Sequence, residues 1–192
     1  MRKITPESDA LSVAGRAAHD IGLAALFGGN LFGRLAMHPA LEDVSSAEER
    51  GKVVNAAWRR YGTVNSLSLA AILAGWIGAR SYEAEDRFLT ERERALYRAK
   101  DVVVGAVALT GVASAVAGVR FGHAAPGGAV PLDSGTEPGR DTPPRAARTK
   151  RVLNVLGRAS ALSELALLGV QAAIAQESFR RPPKRRVLKR RY

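Results

Sequence analysis

Residues 102–119 read VVVGAVALTGVASAVAGV, with no charged side chain, in a chain of 192 residues of which 24% are charged. Asp101 closes the run on one side and Arg120 on the other. A helix of that length rises about 27 Å, close to the hydrocarbon thickness of a bilayer. A soluble helix that long needs a polar face, and this one has almost none. Eight of its residues are Val or Leu. Each such residue at mid-membrane contributes roughly −0.3 to −0.6 kcal/mol to insertion, so the segment is expected to insert unaided.

Working outward, three more apolar stretches appear. Residues 21–33 form the first, extending toward Leu41 if Arg34 snorkels. Thr5-Pro6 supplies an N-cap with Pro at the first helical position, and Pro39 marks the end. Residues 61–79 form the second, uncharged between Arg60 and Arg80, with an upstream start where Ser46 and Glu49 have capping-box spacing. Thr90 and Glu93 repeat that spacing ahead of the 102–119 run. The last stretch, 159–176, is interrupted only by Glu164. Ala, Leu and Gly dominate, period-two alternation is absent, and the runs are too long for ordinary strands. Residues 120–148 hold five of the nine Pro and five Gly and read as a flexible loop.

The fold expected is therefore all-α: a four-helix transmembrane bundle whose helices extend beyond the bilayer. Its spans fall at about 17–37, 61–79, 102–119 and 156–176. Residues 1–178 form one membrane domain, and 179–192 a basic cytoplasmic tail. The N-terminal residues do not form a secretory signal, because Arg16, His19 and Asp20 interrupt the apolar core. With the N-terminus inside, the inner segments hold 17 of the 29 Lys and Arg and the outer segments 12. The positive-inside rule then gives an N-in, C-in, multi-pass protein of the cell membrane.

Composition narrows the function. There is no Cys, which excludes disulfides, thiol catalysis and Cys-based metal sites. A net charge of +11 points to an anionic partner. Aromatics make up only 6% and do not interleave the basic runs, which disfavours nucleic acid, since single strands need stacking platforms. No P-loop, dinucleotide fingerprint, nucleophile elbow or zinc-protease motif occurs, so no enzyme activity and no cofactor are expected. Met37-His38 and His123 fall at the outer ends of the first and third helices, where two His at one level could bind haem or copper, but no further ligands accompany them and no metal site is expected.

Polar residues inside apolar spans are costly and face the protein interior or a wet cavity. Asn30, Arg34, Asn65, Ser68, Arg158 and Glu164 fall at one depth in the expected topology, with Arg34 or Arg158 able to reach Glu164. They form either an outward-facing pocket for an ion or small solute, or an ion pair locking the first helix to the fourth. Arg16, His19 and Asp20 make a second cluster at the inner end, with Arg16 and Asp20 one turn apart. Arg180, Arg181, Lys184, Arg185, Arg186, Lys189, Arg190 and Arg191 read as contacts to anionic lipid headgroups. Gly29/Gly33 and Gly118/Gly122 have the spacing of close helix contacts, read as a homo-oligomer seam or as packing within the bundle.

His19-Asp20-Ile-Gly-Leu-Ala-Ala-Leu-Phe-Gly28-Gly29-Asn-Leu-Phe, followed by Met37-His38-Pro39-Ala-Leu41, resembles the first span of small four-helix bacterial membrane proteins of the copper-resistance D-like group. That resemblance covers about 25 residues and implies a four-helix membrane fold. The Met and His enrichment of a copper path is missing, so copper handling is not carried over. The expected role is a structural or accessory integral membrane protein. The alternatives are a small transporter or channel subunit built on the polar cluster, and a soluble basic helical bundle that binds nucleic acid.

Overall fold

The computed structural model describes residues 6–82 and 89–180. Four long helices dominate: α1 (Pro6–Phe32), α2 (Ala47–Tyr82), α3 (Glu91–Gly122) and α4 (Pro144–Arg180). Among the described residues there is no strand, only an isolated bridge between Leu132 and Pro138. Three of the helices, α2, α3 and α4, are long and apolar enough to cross a membrane. The most apolar window of α3 has a mean hydropathy of 2.2 against 1.3 for the other two, so the run that opens the sequence is also the plainest candidate span. α1 does not join that set, because His19, Asp20 and Asn30 dilute its apolar residues.

Local sequence explains the helix ends. Thr90 caps α3 with both halves of a capping box: its side chain accepts from Glu93 N, and the Glu93 carboxylate accepts from Thr90 N at 2.9 Å. At α2 only half of the expected box forms. Ser46 Oγ accepts from Glu49 N at 3.3 Å but donates to the Glu48 carboxylate at 2.9 Å. Pro39 does not end the first helical segment as its position suggests. The chain continues through a π-helical turn, Gly33–Met37, then His38–Ala40 and a 3-10 turn, Leu41–Asp43. Pro39 has no N–H for the carbonyl four residues back and its ring crowds that carbonyl. The wider π turn, closed by His38 N on Gly33 O, accommodates it.

α1 and α2 form one antiparallel hairpin, α3 and α4 the other, and the two lie side by side through α2·α3 and α1·α4 contacts. The first hairpin packs through glycines. At Gly22 a Cβ would stand 2.8 Å from Ser68 O, and at Gly33 2.5 Å from the Trp58 ring. At Gly29 it would overlap Tyr61, whose hydroxyl donates to Ala25 O at 2.8 Å. The Gly29/Gly33 spacing is thus taken up inside the chain.

Two apolar cores result. One joins Leu23, Leu26, Ile72, Trp76, Val104, Val107 and Leu167 between the helices. The other joins Leu41, Val54, Phe121, Val130, Leu132 and Ala146 where the α3–α4 connection folds back over the helix ends. The sequence suggests a flexible loop there, but the structure gives a packed cap. Val130 and Leu132 are fully buried, Leu132 N donates to Ala47 O, and Arg50 donates to the carbonyls of Val44, Leu132 and Asp133. Gly127 and Gly128, at positive φ, make the turn into this cap. This end is the capped end below; the opposite one, where α1 starts and α4 stops, is the terminal end.

Candidate functional site

Beside the apolar cores several polar side chains are buried, while many large apolar ones face outward. His19, Ser68, Glu93, Lys100, Ser160 and Glu164 are buried, whereas Ile21, Phe32, Leu35, Leu67, Ile77, Val102, Leu109, Leu162 and Leu165 are exposed. The interior polar groups gather in two places.

Midway along the helices, Glu164 is fully buried. Asn30 Nδ2 donates to both of its oxygens, at 2.7 and 2.9 Å, and Ser160 Oγ donates to Oε1 at 2.7 Å. Ser160 lies one turn before Glu164 on α4, and Asn30 comes from α1. A buried carboxylate is thereby held by neutral donors from two helices. The expected ion pair is not what the structure builds. The Arg34 guanidinium packs against Gly157 and Arg158 is exposed, so neither arginine bonds the carboxylate. Asn30, one turn before Arg34, donates to both carboxylate oxygens, and the Arg34 guanidinium lies against Gly157 of α4 instead. Asn65 is half-buried, and Ser68 is buried where its carbonyl meets Gly22. Of the six residues expected to cluster, the structure brings Asn30 and Glu164 into contact, with Arg34 nearby.

The terminal end holds a larger assembly. His19 Nδ1 meets Asp20 Oδ1 at 3.0 Å, and Gln171 Nε2 donates to the same oxygen at 3.2 Å. The Lys100 ammonium donates to Gln171 Oε1 and lies 4.3 Å from the Trp76 ring centroid. Trp76 stacks on Tyr97 at 5.6 Å and donates from Nε1 to Asp101 at 2.9 Å. Arg80 Nε donates to the other Asp101 oxygen at 3.2 Å. Every long helix contributes. His19, Asp20, Trp76, Tyr97, Lys100 and Gln171 wall a cavity of about 220 Å³, also lined by Arg16 and Gly75. His19, only 3% exposed, leaves Nε2 without a partner.

Arg16, His19 and Asp20 thus come together as expected, but Lys100, Gln171, Trp76 and Tyr97 were not foreseen. The signal lay in Trp76 with Arg80, and Tyr97 with Lys100 and Asp101. Both sets are at helical spacing and sit where an apolar run stops.

At the capped end, Trp58 Nε1 donates to His38 Nε2 at 3.3 Å. Burial, with the charges of Lys150 and Arg34, pushes the His38 imidazole down to about 4. Lys150 Nζ donates to Gly135 O at 2.6 Å, tying α4 to the cap. Among the described residues no group of three His, Asp or Glu is gathered that could hold a metal ion. The predicted headgroup contacts Arg181, Lys184, Arg185, Arg186, Lys189, Arg190 and Arg191 lie outside the described residues, and Arg180 is the last residue of α4.

No family model, no curated protein and no solved structure matches this chain.

Proposed function

We propose that the chain is a four-span integral membrane protein of structural or accessory type, with both ends of the chain on the cytoplasmic face and the packed cap on the outer one. One observation carries this reading: each of the four long helices buries polar groups and turns large apolar side chains outward. In water, so much exposed apolar surface is a liability; in a bilayer it is the lipid contact. α1 falls short of the other three in apolarity, but its outward Ile21, Leu31 and Phe32 extend their belt, and its Asn30 and His19 face partners. The count of Lys and Arg supports the orientation, and the basic tail supports contact with anionic headgroups.

Full burial of Glu164 and its donors from Asn30 and Ser160 favour a structural role there over a solute path. The internal use of Gly29 and Gly33 leaves any homo-oligomer to other surfaces, such as the open faces at Gly105 and Gly118.

The test uses membranes from cells expressing the chain. Because it has no Cys, single cysteines report without background. The protein should resist carbonate extraction. Arg140→Cys in the cap should label from outside intact cells, and Thr90→Cys only after permeabilisation. Recovery in the soluble fraction without detergent would overturn the membrane reading, and the reverse labelling pattern would overturn the orientation.

A further inference from the structure

Lys100 is buried, 4% exposed, and its hydrogen-bond acceptor is the neutral amide of Gln171. Its other close neighbour is the Trp76 ring. Among the described residues no carboxylate lies within ion-pair distance of it; Asp20 is one step away, through Gln171. A buried charge without a counter-ion is costly, by several kcal/mol in typical proteins. The cavity beside Lys100 is also lined by Arg16, so two cations border it. An anionic group placed there would complete the site.

His19 adds a second requirement. Its Nδ1 faces the Asp20 carboxylate, which only accepts, so Nδ1 carries the proton and donates. The neutral ring then offers a lone pair at Nε2, which is buried and unpartnered. It calls for a donor, such as a hydroxyl. The space, about 220 Å³, suits a phosphate ester with a small polyol and not an acyl chain. The lining residues 16–20, 75–79, 97–100 and 171–175 lie where the apolar runs stop, which in a bilayer is the headgroup level. Exposed Ile77 and Val102 continue outward from the same level as apolar surface on which acyl chains can lie.

We propose that this cavity binds a phosphate ester bearing a free hydroxyl, supplied by the headgroup of a phosphatidylglycerol-type lipid. Lys100 and Arg16 take the phosphate, His19 accepts from the hydroxyl at Nε2 once its ring turns toward the cavity, and Gln171 holds Lys100 in place. Basic pockets between spans on the cytoplasmic side are suited to anionic headgroups. The inference rests on the membrane reading above.

The experiment is thermal unfolding of the full chain in detergent micelles doped with phosphatidylglycerol or with phosphatidylcholine, and separately with glycerol phosphate added to the phosphatidylcholine micelles. Phosphatidylglycerol should raise the apparent Tm by roughly 5 °C over phosphatidylcholine at saturation. Lys100→Met should lose most of that excess. Arg16→Ala, at an exposed position, should lose part of it and keeps the test valid if Lys100→Met does not fold. An equal shift from glycerol phosphate alone supports the site's chemistry and assigns the source to a free solute. An unchanged excess in the variants means that only the basic tail senses the lipid, and overturns the proposal. Failure of the membrane reading is seen separately, as a protein that stays monodisperse without detergent.

Discussion

The contact between Asn30 and Glu164 gives the sharpest test of what the buried polar groups do. In a double-mutant cycle, Asn30→Ala, Glu164→Ala and the pair are unfolded reversibly in mixed micelles by titration with a denaturing detergent. Hydrogen bonds to charged groups in water-soluble proteins are worth about 1.5–3 kcal/mol. Polar contacts between spans average only about 0.6 kcal/mol and reach about 1.7, because the unfolded chain in a membrane finds other partners. Here one amide meets both oxygens at 2.7 and 2.9 Å, and the carboxylate is fully buried. The coupling energy should therefore sit at the upper end, about 1.5 kcal/mol.

Glu164→Ala alone should cost about 2–4 kcal/mol, since it leaves the Asn30 amide and Ser160 hydroxyl unpaired and opens a void. Glu164→Gln keeps an acceptor oxygen and should cost only about 1 kcal/mol. A coupling below about 0.3 kcal/mol would show that the contact does not hold α1 to α4. A Glu164→Gln variant of unchanged stability that alters solute flux or proton coupling would refute the structural assignment and favour transport.

Three further outcomes follow from the packing. Gly51→Ala places a Cβ inside the Val130 carbonyl; backbone cannot yield there cheaply, so the cap should lift, with a loss of about 3 kcal/mol and new protease cleavage within residues 123–143. Between pH 6.5 and 4 stability should fall with acidity, because unfolded His38, at 6.5, binds a proton that the folded residue, at about 4, resists. The whole shift corresponds to about 3.4 kcal/mol, reduced to about 2 by solvent screening, and flattens below pH 4. Trp58 fluorescence melts measure this slope, His38→Gln should remove most of it, and a slope that survives that substitution would refute the assignment. Gly29→Leu or Gly33→Leu should destabilise by about 2 kcal/mol or more through the Tyr61 and Trp58 contacts while leaving the oligomeric state unchanged in light scattering.

Much of the architecture could be read from the chain, and the reasons are local. Thr90 and Glu93 announce the start of α3 because a capping box needs only four consecutive residues. The apolar run 102–119 announces a candidate span because length and charge are enough for that inference. The partner of Glu164 was harder. Electrostatics alone favours an arginine, but Asn30 reaches both carboxylate oxygens while Arg34, one turn on, meets Gly157, a choice that periodicity does not show. Residues 120–148 mislead for a similar reason. Their Pro and Gly content resembles a free loop, yet the deciding fact is Gly51 on α2, whose missing side chain admits the Val130 carbonyl. Lys100 escaped notice because its partners, Gln171 and Trp76, lie 71 and 24 positions away.

α1 gains a particular place from these details. It is the long helix not apolar enough to qualify as a span by itself, yet it supplies a partner to each interior polar node. Asn30 holds Glu164, and Asp20 takes Gln171 and through it touches Lys100. The polar residues that weaken α1 as an isolated membrane segment are those that its neighbours need. Glu164 in α4 is, conversely, costly until α1 arrives. On the membrane reading proposed above, insertion and specificity are divided along the chain. α2, α3 and α4 have the apolar length, and α1 docks onto them through small residues against Tyr61 and Trp58 and through polar groups matched to Glu164 and Gln171. A bundle held this way fixes its register by hydrogen bonds, since apolar contact between lipid-facing helices gives little preference for one partner over another.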